Sequence, residues 1–175
     1  MAKKSKSTPK EYEPRDENVS MLEEPMEMYG YAGANVGKWA ILSGAASKPE
    51  SQMTSFEKMN VVRNGVSKKD LELLKKKAAL DYSMLAKALS VTRATLINKK
   101  KEQKFNMALS EKIFSLADLY SFGFEVFGDE SLFNQWMLNP NRALGGQVPY
   151  DLIDNQYGRE EIKNLIGRIA YGVYS

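Results

Sequence analysis

The sequence predicts an all-α protein in which a helix-turn-helix domain is followed by a small second helical domain. Three observations carry this reading. From Ser67 onward the apolar residues recur at helical spacing. The stretches open on Ser, Thr or Asp, whose side-chain oxygens accept from the unpaired N–H groups of a first helical turn. They close on Gly128, on Asn139-Pro140 and on Gly172, residue types that stop helices.

The elements follow in order. Residues 1–53 read as a flexible arm. Met1 to about Glu27 mixes Lys, Ser, Pro and Glu with little apolar content and reads as disordered. Tyr29–Ala46 carries Trp39, Ile41 and Leu42 among four glycines, which suits a short helix or a segment ordered by a partner. Ser47–Met53 reads as a linker into the folded part. Residues 54–109 form the first domain. Its first clear helix is capped by Ser67 and has Leu71, Leu74 and Ala78 on one face. Asp81 or Ser83 caps the next, with Leu85, Ala86 and Leu89 inward, and Thr92 caps a third with Leu96 on its buried side. Residues 110–175 form the second domain. After the separator Asn106–Ser110 comes a long helix in which Ile113, Leu116, Ala117, Tyr120, Phe124 and Phe127 repeat at helical spacing. Phe114, Leu119, Phe122 and Val126 widen its apolar surface beyond one stripe, so it needs either core on several sides or a partner chain. Asp129 caps a helix that buries Leu132, Phe133 and Trp136. Pro149 starts a single turn with Leu152 and Ile153. A last helix begins at about Gly158 with Ile162, Leu165, Ile166, Ile169 and Ala170 in register.

Composition narrows the chemistry. The chain has 175 residues, 43% hydrophobic and 27% charged, with no cysteine and no histidine. Disulfides and thiolate metal sites are therefore impossible, and so are nucleophile–histidine arrangements and the HExxH metal site. No metal or cofactor is expected. An enzyme would have to rely on groups such as Glu160, Glu161 or Asp151. The two glutamates instead fall in the first turn of the last helix, where the helix dipole favours them, so no enzymatic activity is expected. With a polar N-terminus and an apolar run, Trp39–Ala46, too short to span a bilayer, the protein is expected in the cytoplasm with no membrane contact.

Charge is unevenly spread. Residues 58–104 hold 13 basic and 4 acidic residues, a net +9, whereas residues 105–175 carry −4. Such a basic segment is an electrostatic footprint of nucleic-acid binding, or else a solvated lysine-rich face. Tyr82–Lys101, YSMLAKALSVTRATLINKKK, has the organisation of a helix-turn-helix. Ala86 lets the two backbones cross closely, Val91 plugs the turn, and the second helix offers Thr92, Arg93, Thr95, Asn98, Lys99 and Lys100 to a major groove. Ser90 stands where many such turns place Gly, at a position that often takes a left-handed conformation. The same pair can also serve only as a packing unit.

The run FEVFGDESLFNQWMLNPNRALGGQVPYDLI, followed by an acidic helix and RIAYGVYS, resembles the toxin-binding domain of the Xre/MbcA/ParS antitoxins. With the helix-turn-helix before it, which is then Xre-like, the chain from about Phe56 to Ser175 resembles the antitoxin of a RES–Xre type II toxin–antitoxin pair. The resemblance implies binding to a RES-domain toxin that consumes NAD, with the antitoxin's C-terminal end blocking the toxin's active site. The toxin-facing residues it implies are Arg168, Tyr171, Gly172, Val173, Tyr174 and Ser175, supported by Asn141, Arg142, Gly145 and Gly146 of the loop. Arg142 can instead bond carbonyls of its own loop, and Tyr171 and Val173 can fold back on the core. The resemblance also fits a homodimer that binds operator DNA and autorepresses its operon. The alternative is a helix-turn-helix transcriptional regulator without a toxin partner.

Overall fold

A computed structural model of the chain describes residues 38–42, 48–100 and 102–172, and these carry eight α-helices and no named strand. They are α1 (Ser55–Asn64), α2 (Lys68–Lys77), α3 (Tyr82–Ala88), α4 (Arg93–Ile97), α5 (Met107–Phe127), α6 (Glu130–Leu138), α7 (Pro149–Leu152) and α8 (Gln156–Ala170). All lie in one compact unit, Ala34–Ser175. The all-α expectation is met. Met1–Glu27, most of Tyr29–Ala46, Lys101 and Val173–Ser175 lie outside the described residues, and with them the expectations placed on those segments.

Seven of the eight helices begin on a side-chain cap, because the first N–H groups of a helix have no partner within it. Thr54 with Glu57 and Ser67 with Asp70 make reciprocal capping boxes. Asp81, Thr92, Asn106, Asp129 and Asn155 each accept one N–H. Only α7 lacks such a cap, and it has Pro149 in its first turn instead. Of the two residues proposed to cap α3, Asp81 does so.

The caps also correct three sequence-level boundaries. α1 was not foreseen: its apolar content is low, although the Thr54–Glu57 box was there to be read. α5 starts at Met107 inside the presumed separator because Asn106 caps it, so the division drawn at 109/110 falls within a continuous helix. α8 starts at Gln156 because Asn155 accepts from Gly158 N–H at 3.1 Å.

α5 is the axis of the fold and packs against α1, α6, α8 and a 3-10 turn at Glu50–Gln52. Its apolar width is used as intramolecular core: Leu109, Ile113, Phe114, Leu116, Ala117, Leu119, Tyr120 and Phe124 are all buried. Tyr120, Phe124 and Phe133 meet edge to face at centroid separations of 5.4–5.9 Å, with Trp136 stacked on Phe133 at 5.7 Å.

Residues 48–53 are not a linker. Glu50 is fully buried, and its carboxylate accepts from Ile41 N–H at 3.0 Å and Leu42 N–H at 2.6 Å. Ile41 and Leu42 are buried as well, and Lys77 Nζ donates to Ala40 O at 2.9 Å. A short segment ahead of α1 is therefore held to the helices by a buried carboxylate and a lysine.

Candidate functional site

The first candidate surface is the α3–α4 pair. Ser90 takes a φ of 52°, as the turn position requires, and the chain is closed by Ser90 N–H to Lys87 O and Val91 N–H to Ala86 O, both 3.0 Å. Ala86 is buried, Val91 half-buried and Leu96 fully buried, so α4 is seated by one face. The far end of α4 is held by Lys68, a buried lysine whose Nζ donates to Leu96 O at 2.7 Å and also bonds the Tyr82 hydroxyl. Thr92, Arg93, Thr95, Asn98 and Lys100 are exposed. Thr92 Oγ1 is partly committed to the Thr95 N–H at 3.2 Å, and Lys99 is half-buried with its ammonium 5.6 Å from the Phe105 ring centre.

The structure also sorts the basic segment. Lys58 pairs with Asp118 and Lys87 with Asp151, both at 2.7 Å, and Lys104 donates to Asn64 O at 2.7 Å. With Lys68 and Lys77 turned to carbonyls, part of the +9 excess is spent on tertiary contacts. Arg93 and Lys100 keep exposed cations on α4 and just beyond it.

The second surface is the loop after α6. Asn141 organises it: its N–H donates to Gln147 O at 3.0 Å, its Oδ1 accepts from Ala143 N–H at 2.9 Å, and its carbonyl accepts from Gly146 N–H at 2.9 Å. Gly145 and Gly146 take φ of 65° and 85° with open space where a Cβ would stand, so backbone angle and not crowding asks for glycine there. The loop thus closes on itself and presents Arg142 outward. Among the described residues the Arg142 guanidinium bonds none of the loop's carbonyls.

The third surface is the end of α8. Ile162, Leu165 and Ile166 face the core, leaving Arg168 half-exposed, 3.4 Å from Glu161, and Tyr171 64% exposed. Gly172 turns the chain with φ 66°, its N–H on Ile169 O at 3.1 Å. Phe122, Lys163, Asn164, Gly167, Arg168 and Tyr171 line a shallow groove of about 540 Å³. Arg168 and Tyr171 thus share one groove, and no residue of the 141–146 loop lines it. The sequence places Phe122 on the widened apolar surface of the long helix, for core or for a partner; its half-exposure beside α8 depends on how the two helices cross.

Sequence reasoning missed Arg159. It is 7% exposed, and its guanidinium donates to Ile153 O at 2.9 Å and Ala88 O at 2.7 Å. Burial pushes its pKa below the usual guanidinium range against the opposing charge of Asp154. Beside it, a Cβ on Gly158 would stand 1.6 Å from Leu152 O, so only glycine lets α8 start this close to α7. Among the described residues no cluster of three or more His, Cys, Asp or Glu side chains is placed to hold a metal ion, and no helix is long and apolar enough to cross a membrane.

A capped helical scaffold with an ordered glycine loop and an exposed helix end offers surfaces for binding another macromolecule. Residues 123–172 match the antitoxin Xre/MbcA/ParS C-terminal toxin-binding domain. Over 73 residues the chain is 34% identical to an antitoxin Xre of Photorhabdus laumondii, covering 41% of this chain and 49% of that relative, so the similarity spans about half its length. It is 26% identical over 141 residues to the Prs ADP-ribosylating antitoxin of a Sphingobium species, covering 74% and 88% of the two chains. An antitoxin Xre of Yersinia enterocolitica is 26% identical over 100 residues, 56% of this chain and 68% of that one. The chain is thus similar to antitoxins, and its residues 123–172 to their toxin-binding domain.

Proposed function

We propose that this chain is an antitoxin of the Xre/MbcA/ParS family that neutralises a RES-domain toxin that consumes NAD, and that it does so by placing its C-terminal tail in the toxin's active site. The observation that carries the reading is the extent of the domain match: it runs to Gly172, which ends α8 in a left-handed conformation three residues before Ser175. Arg168, Tyr171 and Gly172 flank the tail Val173–Ser175, while Asn141, Arg142, Gly145 and Gly146 supply a rigid second contact. Inhibition is then steric exclusion with complementary polar contacts, and the antitoxin breaks no bond.

In the same reading residues 54–109 bind operator DNA through Thr92, Arg93, Thr95, Asn98, Lys99 and Lys100. As a homodimer the chain presents two such helices to paired half-sites and represses its own operon in the cytoplasm.

A second reading of the partner has its own support. The Sphingobium relative, aligned over most of its length, is named for ADP-ribosylation, a transfer that draws on NAD. A toxin that moves ADP-ribose onto a protein would meet the same antitoxin tail.

One experiment tests these readings. The chain is co-expressed with the product of the adjacent reading frame, purified through a tag on the antitoxin, and NAD loss is followed for that product alone, with the full chain, and with a chain ending at Gly172. Co-purification with inhibition lost on truncation is expected. ADP-ribose found on protein rather than free selects the second reading, and absence of both capture and any effect on NAD overturns both.

A further inference from the structure

The C-terminal end of α3 is completed by residues far along the chain. A helix leaves its last carbonyls without partners. Here Ala88 O accepts from Arg159 Nη2 at 2.7 Å and Leu89 O from Lys112 Nζ at 3.1 Å. One turn earlier Met84 O accepts from the Tyr150 hydroxyl at 2.9 Å. Burial, with Asp151 and Asp81 nearby, pushes that hydroxyl up to about 12, so it remains a donor. Ser90 Oγ, at the corner itself, donates to Asp154 O at 2.7 Å. The Lys87–Asp151 pair is more than half exposed on both sides and adds little.

α5, α7, α8 and the turn between α7 and α8 therefore meet at the corner from which α4 departs. Arg159 is distinguished among these contacts. It is buried, and its planar fork joins two carbonyls of different elements: Ala88 O, at the end of α3, and Ile153 O, at the end of α7. The elbow it belongs to is closely packed: a Cβ on Gly158 would stand 1.6 Å from Leu152 O. The corner it secures contains Ser90 in a left-handed conformation, which a non-glycine residue holds only when its surroundings enforce it.

We propose that Arg159 is a positioning residue for α4: it fixes the α3–α4 corner on the α7–α8 elbow, so an arginine of the toxin-binding domain sets the DNA affinity of the chain. The inference rests on the reading of α4 as the DNA-facing helix. Without the guanidinium, Ala88 O and Ile153 O lose their buried donor and α4 loses its fixed orientation, while the aromatic core around α5 and α6 keeps its contacts. Because binding couplings are reciprocal, a toxin that shifts the elbow also shifts the affinity for DNA.

The test uses the full chain with Arg159→Met, Arg159→Lys and, as a core control, Ile113→Val. The probe is duplex DNA from immediately upstream of the chain's own reading frame, and amide hydrogen exchange is read in the free protein. Arg159→Met is expected to lose about tenfold or more in DNA affinity, the scale of a charged hydrogen bond. Exchange at Thr95–Asn98 should speed up while the amides of Ile113–Phe124 stay protected. Arg159→Lys, with a charge but no fork, should fall between. Ile113→Val should lower the melting temperature yet keep DNA affinity within about twofold. Native exchange in α4 of Arg159→Met, or an equal DNA loss in Ile113→Val, overturns the proposal. If the wild-type chain binds no upstream DNA, or binds it with an affinity that Arg93→Ala leaves unchanged, the DNA reading fails, and the exchange comparison still decides whether Arg159 positions α4. Should Arg159→Met not fold, Arg159→Lys carries the same comparison.

Discussion

The ring of Phe133 lies on the backbone of Gly123, so close that a Cβ at residue 123 would stand 2.2 Å from the ring's ζ carbon. Phe133 reaches this position because α6 crosses α5 at the one place where α5 has no side chain. Gly123→Ala should therefore force the ring out of its edge-on contacts with Tyr120 and Phe124 and cost about 1–3 kcal/mol. For a domain of this size that lowers the melting midpoint by several degrees, roughly 2–4 °C per kcal/mol. A thermal melt followed by circular dichroism checks it, and an unchanged midpoint would mean that the ring has room to move.

Gly158→Ala should be worse. The obstacle there is a backbone carbonyl, Leu152 O, which cannot swing away as a ring can. We expect a loss exceeding that of Gly123→Ala, at least about 3 kcal/mol, with toxin capture impaired because the α7–α8 elbow opens. The ranking of the two variants in denaturant titration is the measurement.

Glu50 links stability to pH with an unusual sign. Burial raises its pKa above the ordinary 4.5, outweighing the N–H groups of Leu42 and Ile41 and the charge of Lys77. The folded chain then keeps a proton that the unfolded chain has released, so this group favours folding below 4.5 and that contribution is lost as pH rises through the raised value. Glu57 has the opposite sign: Lys48, then Thr54, lower it to about 2, so its contribution is present above 4.5 and lost as pH falls toward 2. Melting midpoints of wild type, Glu50→Gln and Glu57→Gln across this range should show wild type losing ground to Glu50→Gln as pH climbs from 4.5, and losing its advantage over Glu57→Gln as pH drops below it.

Arg142 should separate folding from binding. It is exposed, and among the described residues its guanidinium bonds no part of its own loop. Arg142→Ala should leave stability within about 0.5 kcal/mol while weakening toxin capture. Co-purification yield and melting midpoint, taken together, check this, and a large fall in the midpoint would mark the residue as structural.

Salt dependence distinguishes solvent-facing cations from those spent on the fold. Arg93→Ala and Lys100→Ala should each reduce the slope of log affinity against log salt by about 1. Lys58→Ala, which removes an ammonium already paired with Asp118 at 2.7 Å, should leave the slope near the wild-type value. Equal slopes for all three variants would show that α4 is not the face that meets phosphate.

The features legible in the sequence are those whose cause is local. Ser67, Asp81, Thr92 and Asp129 sit where a cap must be to serve an N–H two or three residues on, and Gly128 and Gly172 take the left-handed angles that end α5 and α8. The apolar repeat of α5, broad enough to require neighbours on several sides, announced its central place. α1 also had a local signal, the Thr54–Glu57 box, but too few apolar residues beside it. What the tertiary structure alone decided is which polar group each polar group meets. Arg159 holds Ala88 O, Lys68 holds Leu96 O, and Glu50 accepts from Ile41 and Leu42. The Arg159 and Lys68 contacts join residues 71 and 28 positions apart, and nothing local marks these two cations among the 25 in the chain. A helix cap is set by backbone geometry within one turn, whereas a buried ion finds its carbonyl only once the helices have packed and removed the water that would otherwise solvate both.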